Sequence, residues 1–294
     1  MIDPRRFERN LGFITNAEQS MLHGSVVSIA GAGGDGGMLA EQLARLGVGE
    51  IRLADPDPFE IENINRQAFC SDSTLGQNKA HVVAAGIKDI NPDIEVKVFD
   101  EGVHPDNLGE FVEGSTLIID ETEFTLHGLA VGIAREARKR KVPNLTALNI
   151  GFGTVVTTYH PDGPLLEERL GFKATDSIDF IASREVGIDR WAPYLPSQYG
   201  DISVLEKVAK GSKSAPSIAP GVAIAAATGS AQALLNILKG QNNRPDPVYA
   251  PKALLVDVMA MEMKKINYSR LSHYRYLGVA VVRNLLKLNP KADY

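Results

Sequence analysis

The seven residues GAGGDGG at 31–37 stand between a short apolar run, SVVSIA at 25–30, and MLAEQLARLG, whose Leu39, Leu43 and Leu46 recur at helical intervals. Few folds accommodate a strand, a turn this rich in glycine and a helix in direct succession. Gly31, Gly33 and Gly36 fit G-x-G-x-x-G. With that spacing the backbone turns tightly and approaches a phosphate, which the free N–H groups and dipole of the helix N-terminus attract. Asp55 closes the next apolar run, where a carboxylate accepts hydrogen bonds from ribose hydroxyls. Together these residues predict an adenine-nucleotide site.

The pattern continues downstream. EIRLAD (50–55), IEVKVF (94–99), STLIID (115–120) and NLTALNI (144–150) read as strands, and 75–91 and 127–140 as helices. Strands alternating with helices imply an α/β fold with a doubly wound, Rossmann-like, mostly parallel sheet covered on both faces. After Gly151 the pattern loosens through GFGTVVTTYHPDGP. The following stretch to about 217, with Pro164, Trp191, Pro193, Pro196 and Pro216, has no clear period and reads as irregular with short helices. Residues 219–240 form an almost continuous apolar helix stopping near Gly240, 253–270 two tightly joined strands as an antiparallel extension, and 273–288 a terminal amphipathic helix. The expected organisation is a single domain over 1–294, with an N-terminal arm (1–24), a nucleotide-binding core (25–160), an irregular substrate or dimer region (161–217) and a closing part (218–294).

A charged fraction of 23%, an apolar fraction of 44% and a net charge of -5 suit a soluble globular protein and disfavour a nucleic-acid partner, so any phosphate site must be local. No stretch approaches the ~20 apolar residues of a membrane span, and MIDPRRFERN lacks a signal-peptide core. The expected location is cytoplasmic. One cysteine, Cys70, excludes an internal disulfide and any Cys-x-x-Cys pair, and the six histidines show no ligand spacing, so no zinc is expected.

A glycine loop does not name its nucleotide, and an NAD(P)-dependent oxidoreductase would use the same parts. DPDPFEIENINRQAF (55–69) is more informative. Asn63, Arg66 and Gln67 follow Asp55 on what should be a loop at the C-terminal edge of the sheet, with Lys79 near the start of the next helix. A guanidinium and an ammonium above a phosphate cradle suit phosphate chemistry and have no use in hydride transfer. The plain alternative makes both of them solvated surface charges. Asp35, inside the loop, repels phosphates unless it points away, and reads as an acid of the helix N-terminus.

The combination of GAGGDGG, RLGVGEIRLADPD, ENINRQ and LGQNK closely resembles the ThiF/MoeB/HesA family, which shares its adenylation domain with the ubiquitin-activating enzymes. RFERNLGF resembles that family's N-terminal arm, INPDIEV the approach to its third strand, and APGVAIAAATGSAQALLNIL its late packing helix. The resemblance implies an ATP-dependent adenylyltransferase acting on the C-terminus of a small ubiquitin-like or sulfur-carrier protein, or on a peptide. Gly31, Gly33, Gly34 and Gly36 would face the phosphates, Asp55 would bind the ribose with Asp57 beside it, Asn63, Arg66 and Lys79 would contact the triphosphate, and Gln67 would order the loop. Arg9 matches the arm arginine that reaches a partner subunit's ATP, which implies a homodimer. The family's D-x-x-D pattern reads Asp120-Glu121-Thr122-Glu123 here, which assigns Mg²⁺ to Glu123 with Asp120 in reserve. Many members carry zinc cysteines, and some carry a thioester-forming cysteine. With Cys70 read as a small buried hydrophobe, activation without an enzyme thioester is expected. The departures at Asp35 and Glu123 also allow a non-catalytic dimeric subunit.

Overall fold

The computed structural model describes residues 4–187, 215–241 and 244–267, with residues 190, 204, 207, 208 and 278 singly among the rest. One eight-stranded sheet runs through it in the order β3-β2-β1-β4-β5-β6-β7-β8. The strands are β1 (Val26–Ala30), β2 (Glu50–Ala54), β3 (Glu95–Phe99), β4 (Leu117–Asp120), β5 (Asn144–Ile150), β6 (Gly153–Tyr159), β7 (Lys252–Asp257) and β8 (Glu262–Asn267). The first five pair in parallel, and the last three are antiparallel.

The helices are α1 (Asn16–His23), α2 (Gly34–Leu46), α3 (Lys79–Ile90), α4 (Leu108–Val112), α5 (His127–Lys139), α6 (Leu166–Leu170), α7 (Ile178–Ala182) and α8 (Ala219–Ile237). Strand residues sort by parity: Val27, Ile29, Leu117 and Ile119 meet the core beneath α2, α3 and α8, whereas Ala30 and Ile118 meet Phe111 and Ile133 of α4 and α5. Burial on both faces explains why these strands read as unbroken apolar runs.

Three expectations shift. The helix expected over 75–91 begins at Lys79, because residues 74–78 form a turn and Asn78 caps the helix by accepting from the His81 amide at 3.2 Å. The apolar helix ends at Ile237 rather than near Gly240. The loosened stretch after Gly151 holds β6, wholly buried and joined to β5 by a two-residue turn of Gly151 and Phe152. Its threonines hid it. They are satisfied internally, with the Thr154 hydroxyl donating to the Leu148 carbonyl at 2.9 Å and the Asn236 amide to Thr158 at 3.2 Å. The helix expected over 273–288, and Trp191, Pro193 and Pro196, lie outside the described residues. Among the described residues no helix is long and apolar enough to cross a membrane.

Candidate functional site

β1 is flanked by β2 and β4, whose connections leave in opposite directions, so a crevice opens at the C-terminal ends of β1 and β4. The glycine turn sits there. Gly31 adopts φ +95°, and a Cβ on it would stand 2.4 Å from the Glu121 carbonyl oxygen. Gly36 lies in the first turn of α2, where a Cβ would fall 1.8 Å from the Gly31 carbonyl oxygen. No side chain fits at either place, so the backbone itself lines the crevice.

The Asp55 carboxylate is buried and anchored to this turn. Its Oδ2 accepts from the Ala32 amide at 2.7 Å and its Oδ1 from the Asp57 amide at 3.0 Å. Each oxygen keeps a lone pair for a ligand hydroxyl. Burial raises the pKa of this carboxyl against those two bonds and the nearby charge of Lys79. Lys79, itself buried, holds the exposed Asp57 at 3.1 Å. Asn63 is buried and caps its own 3₁₀ turn, accepting from the Glu60 amide at 3.0 Å, while its carbonyl receives the amides of Arg66 and Gln67. Gln67 lies against Gly33 and Gly34. Arg66, partly exposed, donates to the Asn65 side chain at 2.9 Å and the Glu62 carbonyl at 3.1 Å. The structure thus brings Asp55, Asn63, Arg66, Gln67 and Lys79 to one edge with the glycine turn.

Arg9 is elsewhere. Phe7 is buried against His23 and the end of α2, and Asn10 and Gln19 donate to the Leu46 carbonyl. The arm therefore docks at the far end of a 13-residue helix, on the order of 20 Å from the turn at the other end. An exposed Arg9 in that position cannot serve its own crevice.

Magnesium meets a mixed set. Asp120 is buried, and its Oδ1 is occupied by Thr122, which donates from its hydroxyl at 2.7 Å and its amide at 3.2 Å. Glu123 is exposed. Among the described residues no group of three or more His, Cys, Asp or Glu side chains is placed to hold a metal. One free carboxylate beside substrate phosphates is a usual Mg²⁺ arrangement, so Glu123 fits, while Thr122 holds one oxygen of Asp120. Cys70 is buried, its thiol pKa raised chiefly by desolvation, consistent with an inert packing role.

Asp35 does not cap α2 with its side chain. Its Oδ2 accepts from the amide side chain and backbone of Asn149 at the end of β5, and its enclosed Oδ1 has no hydrogen-bond partner among the described residues. Burial pushes its carboxyl up to about 7, opposed by the Asn149 bonds and by the charge of Arg66. Glu121 belongs to the same cluster: one oxygen accepts from the Ala147 amide at 2.8 Å, and burial with Asp35 nearby raises it well above the ordinary range. Ser217 donates to Asn149 at 2.8 Å, and Asn65 donates to the Ser217 carbonyl at 3.0 Å. No short-range motif signals Glu121, Asn149 or Ser217.

This pKa makes a prediction. Between pH 4 and 7 the folded state binds a proton at Asp35 that the unfolded chain has released, so stability falls as pH rises through that window. The loss is on the order of 4 kcal/mol. Asp35→Asn should remove it: the variant-minus-wild-type difference in urea-derived stability should grow from pH 4.5 to pH 8. A flat difference would show that Asp35 titrates normally.

His127 opens α5, half-buried, with burial lowering its pKa against a bond it donates to the Phe124 backbone. Arg135 pairs with the buried Glu167 at 2.9 Å, and Lys141 with Asp162 at 3.0 Å.

The family model described as "ThiF family" matches residues 7–275. The chain is 33% identical over 155 residues to the Bacillus subtilis tRNA threonylcarbamoyladenosine dehydratase, covering 52% of this chain and 60% of that protein. It is 33% identical over 147 residues to the SAMP-activating enzyme E1 of Haloferax volcanii, covering 50% and 53%. The chain thus spans little more than half the length of these relatives. Among solved structures, E. coli MccB with MccA-N7isoASN superposes with a TM-score of 0.67 at 21% identity, covering 91% and 72% of the two chains. PaaA superposes at 0.61 and 25% identity, covering 85% and 66%.

Proposed function

Because the chain belongs to the ThiF family, we propose that it is an ATP-dependent adenylyltransferase that activates a carboxylate. One observation carries the reading: Asp55 is bonded to the glycine turn, Gln67 lies on Gly33 and Gly34, and the same loop and the next helix bring Arg66 and Lys79 to that edge. Asp55 holds the ribose and the turn amides the phosphates, and Arg66 and Lys79 neutralise the triphosphate. Mg²⁺ on Glu123 would add charge neutralisation. A carboxylate oxygen of the substrate bonds to the α-phosphorus, the bond from that phosphorus to the bridging oxygen breaks, and pyrophosphate leaves. A carboxylate is ionised at neutral pH, so no general base is required. Positioning carries the rate. Hydride transfer would leave both cations without a role.

The acyl substrate in this reading is the C-terminus of a small ubiquitin-like or sulfur-carrier protein, or a peptide. Support comes from the names of the similar SAMP-activating enzyme E1 and of the MccB complex with MccA. ATP–pyrophosphate exchange in the presence of such an acceptor tests the reading. Exchange only with tRNA, the molecule in the other relative's name, would redirect it. We place Arg9 over the ATP of a second copy, because the arm docks far from its own turn. Arg9→Ala and Arg66→Ala should each be inactive alone, and mixing them should restore about a quarter of wild-type exchange, since random pairing leaves one competent site in half the dimers. No recovery would place the arm's action within one subunit.

A further inference from the structure

A carboxylate inside a phosphate-facing turn is repulsive, yet the contacts of Asp35 lead from that turn back to Arg66. The Arg66 guanidinium donates to the Asn65 side-chain oxygen at 2.9 Å, and the Asn65 amide donates to the Ser217 carbonyl at 3.0 Å. The Ser217 hydroxyl donates to the Asn149 side-chain oxygen at 2.8 Å, and the Asn149 amide donates to Asp35. All four bonds point the same way, from a cation to a carboxyl group. Each asparagine accepts on one side and donates on the other, which uses both ends of its carboxamide. Bonds aligned head to tail polarise one another and strengthen the chain.

The chain joins the loop after β2 to the segment entering α8, and that segment to the end of β5 and the start of α2. The start of α8 is held closely. A Cβ on Gly221 would stand 2.2 Å from the Gly151 carbonyl oxygen, and one on Gly34 would stand 3.3 Å from the Val222 side chain. Ser217, just ahead of that helix, is thus a fixed point, whereas the Arg66 loop is exposed at Ile61, Ile64 and Asn65. An arginine on such a loop gives up rotamer freedom on meeting a ligand unless it is held beforehand. We propose that Asn65 and Ser217 are positioning residues that, with Asn149, tether Arg66 to Asp35 and hold its guanidinium at the nucleotide edge before ATP arrives. The inference rests on the reading above, in which Arg66 meets the triphosphate. It gives Asp35 a role as the anchor of a cation. The two ends sense each other, since the charge of Arg66 opposes the burial that raises the Asp35 pKa.

Calorimetric titration of the full chain with an ATP analogue carrying a methylene bridge between the α- and β-phosphates reads the tether without turnover. Asn65→Ala and Ser217→Ala should each weaken binding by about three- to tenfold, the range for one lost hydrogen bond. Ser217→Ala deletes a hydroxyl and keeps the carbonyl that Asn65 meets, so its effect has to travel along the chain. Arg66→Ala should still bind, through Asp55, Lys79 and the turn amides. In that background both substitutions should be silent to within about twofold, because no guanidinium is left to position. Equal losses in both backgrounds would make Asn65 and Ser217 plain supports of the loop and overturn the proposal, as would no loss in either. If one of the two variants does not fold, the other decides alone. Binding that shows this coupling without ATP–pyrophosphate exchange would sink the activation reading and keep the tether; exchange with additive losses would do the reverse. A wild-type chain that does not bind the analogue would sink both.

Discussion

Arg66→Ala is expected to lower ATP–pyrophosphate exchange by about 10²–10³-fold or more, the cost of removing a preorganised group that meets developing charge. The fold should not notice. Among the described residues the guanidinium donates only to Glu62 and Asn65 of its own loop, and the turn beneath is held by Asn63 through backbone bonds that alanine at 66 keeps. Thermal midpoints should agree to within ~2 °C, as for a surface change away from core features. Near-wild-type exchange in a folded variant would show that this cation does not meet the triphosphate and would remove the main support for the proposed chemistry. A variant that fails to fold would instead contradict the local role drawn from its contacts.

Gly36→Ala should have the largest effect on stability. The new methyl would fall 1.8 Å from the Gly31 carbonyl oxygen and 2.9 Å from its carbon, both backbone atoms of the cradle. α2 would have to lift off the turn that starts it, and Leu39, Ala40, Leu43 and Ala44 would leave the core with it. The loss should exceed about 3 kcal/mol, beyond ordinary overpacking because no flexible side chain can yield. Urea midpoints measure it. Gly76→Ala is the control: that glycine has φ +77° with open space around it, so only the left-handed backbone is penalised, by about 1–2 kcal/mol. If both variants lose the same, the close approach at Gly36 is not what fixes the helix.

The parts of the site legible in the sequence are those separated by a few residues. The glycine spacing, the carboxylate closing β2 and the lysine opening α3 are local patterns, and each lies where its spacing puts it. Contacts made by tertiary folding left no such trace. Asp35 finds Asn149 across 114 positions, and nothing near either residue announces the other. β6 was hidden for a related reason: threonine reads as polar until neighbouring strands and α8 supply its partners. The position of Arg9 likewise depends on which end of α2 the arm meets, and the buried Phe7 with the bonds of Asn10 and Gln19 to Leu46 decides that.

The arm has one more attachment. Thr15 and Glu18 cap α1 reciprocally, and the buried Glu18 also receives Arg244 from the turn between α8 and β7, a guanidinium that further donates to the Phe13 carbonyl at 2.7 Å. Stripping that cation would strand an enclosed anion, so the first helix is clasped to a segment that comes more than two hundred residues later. Peeling this end away therefore breaks its clasp on the segment that leads into β7. A fusion partner or purification handle spliced between residues 11 and 24 should strain the Arg244 clasp before it disturbs the distant nucleotide edge.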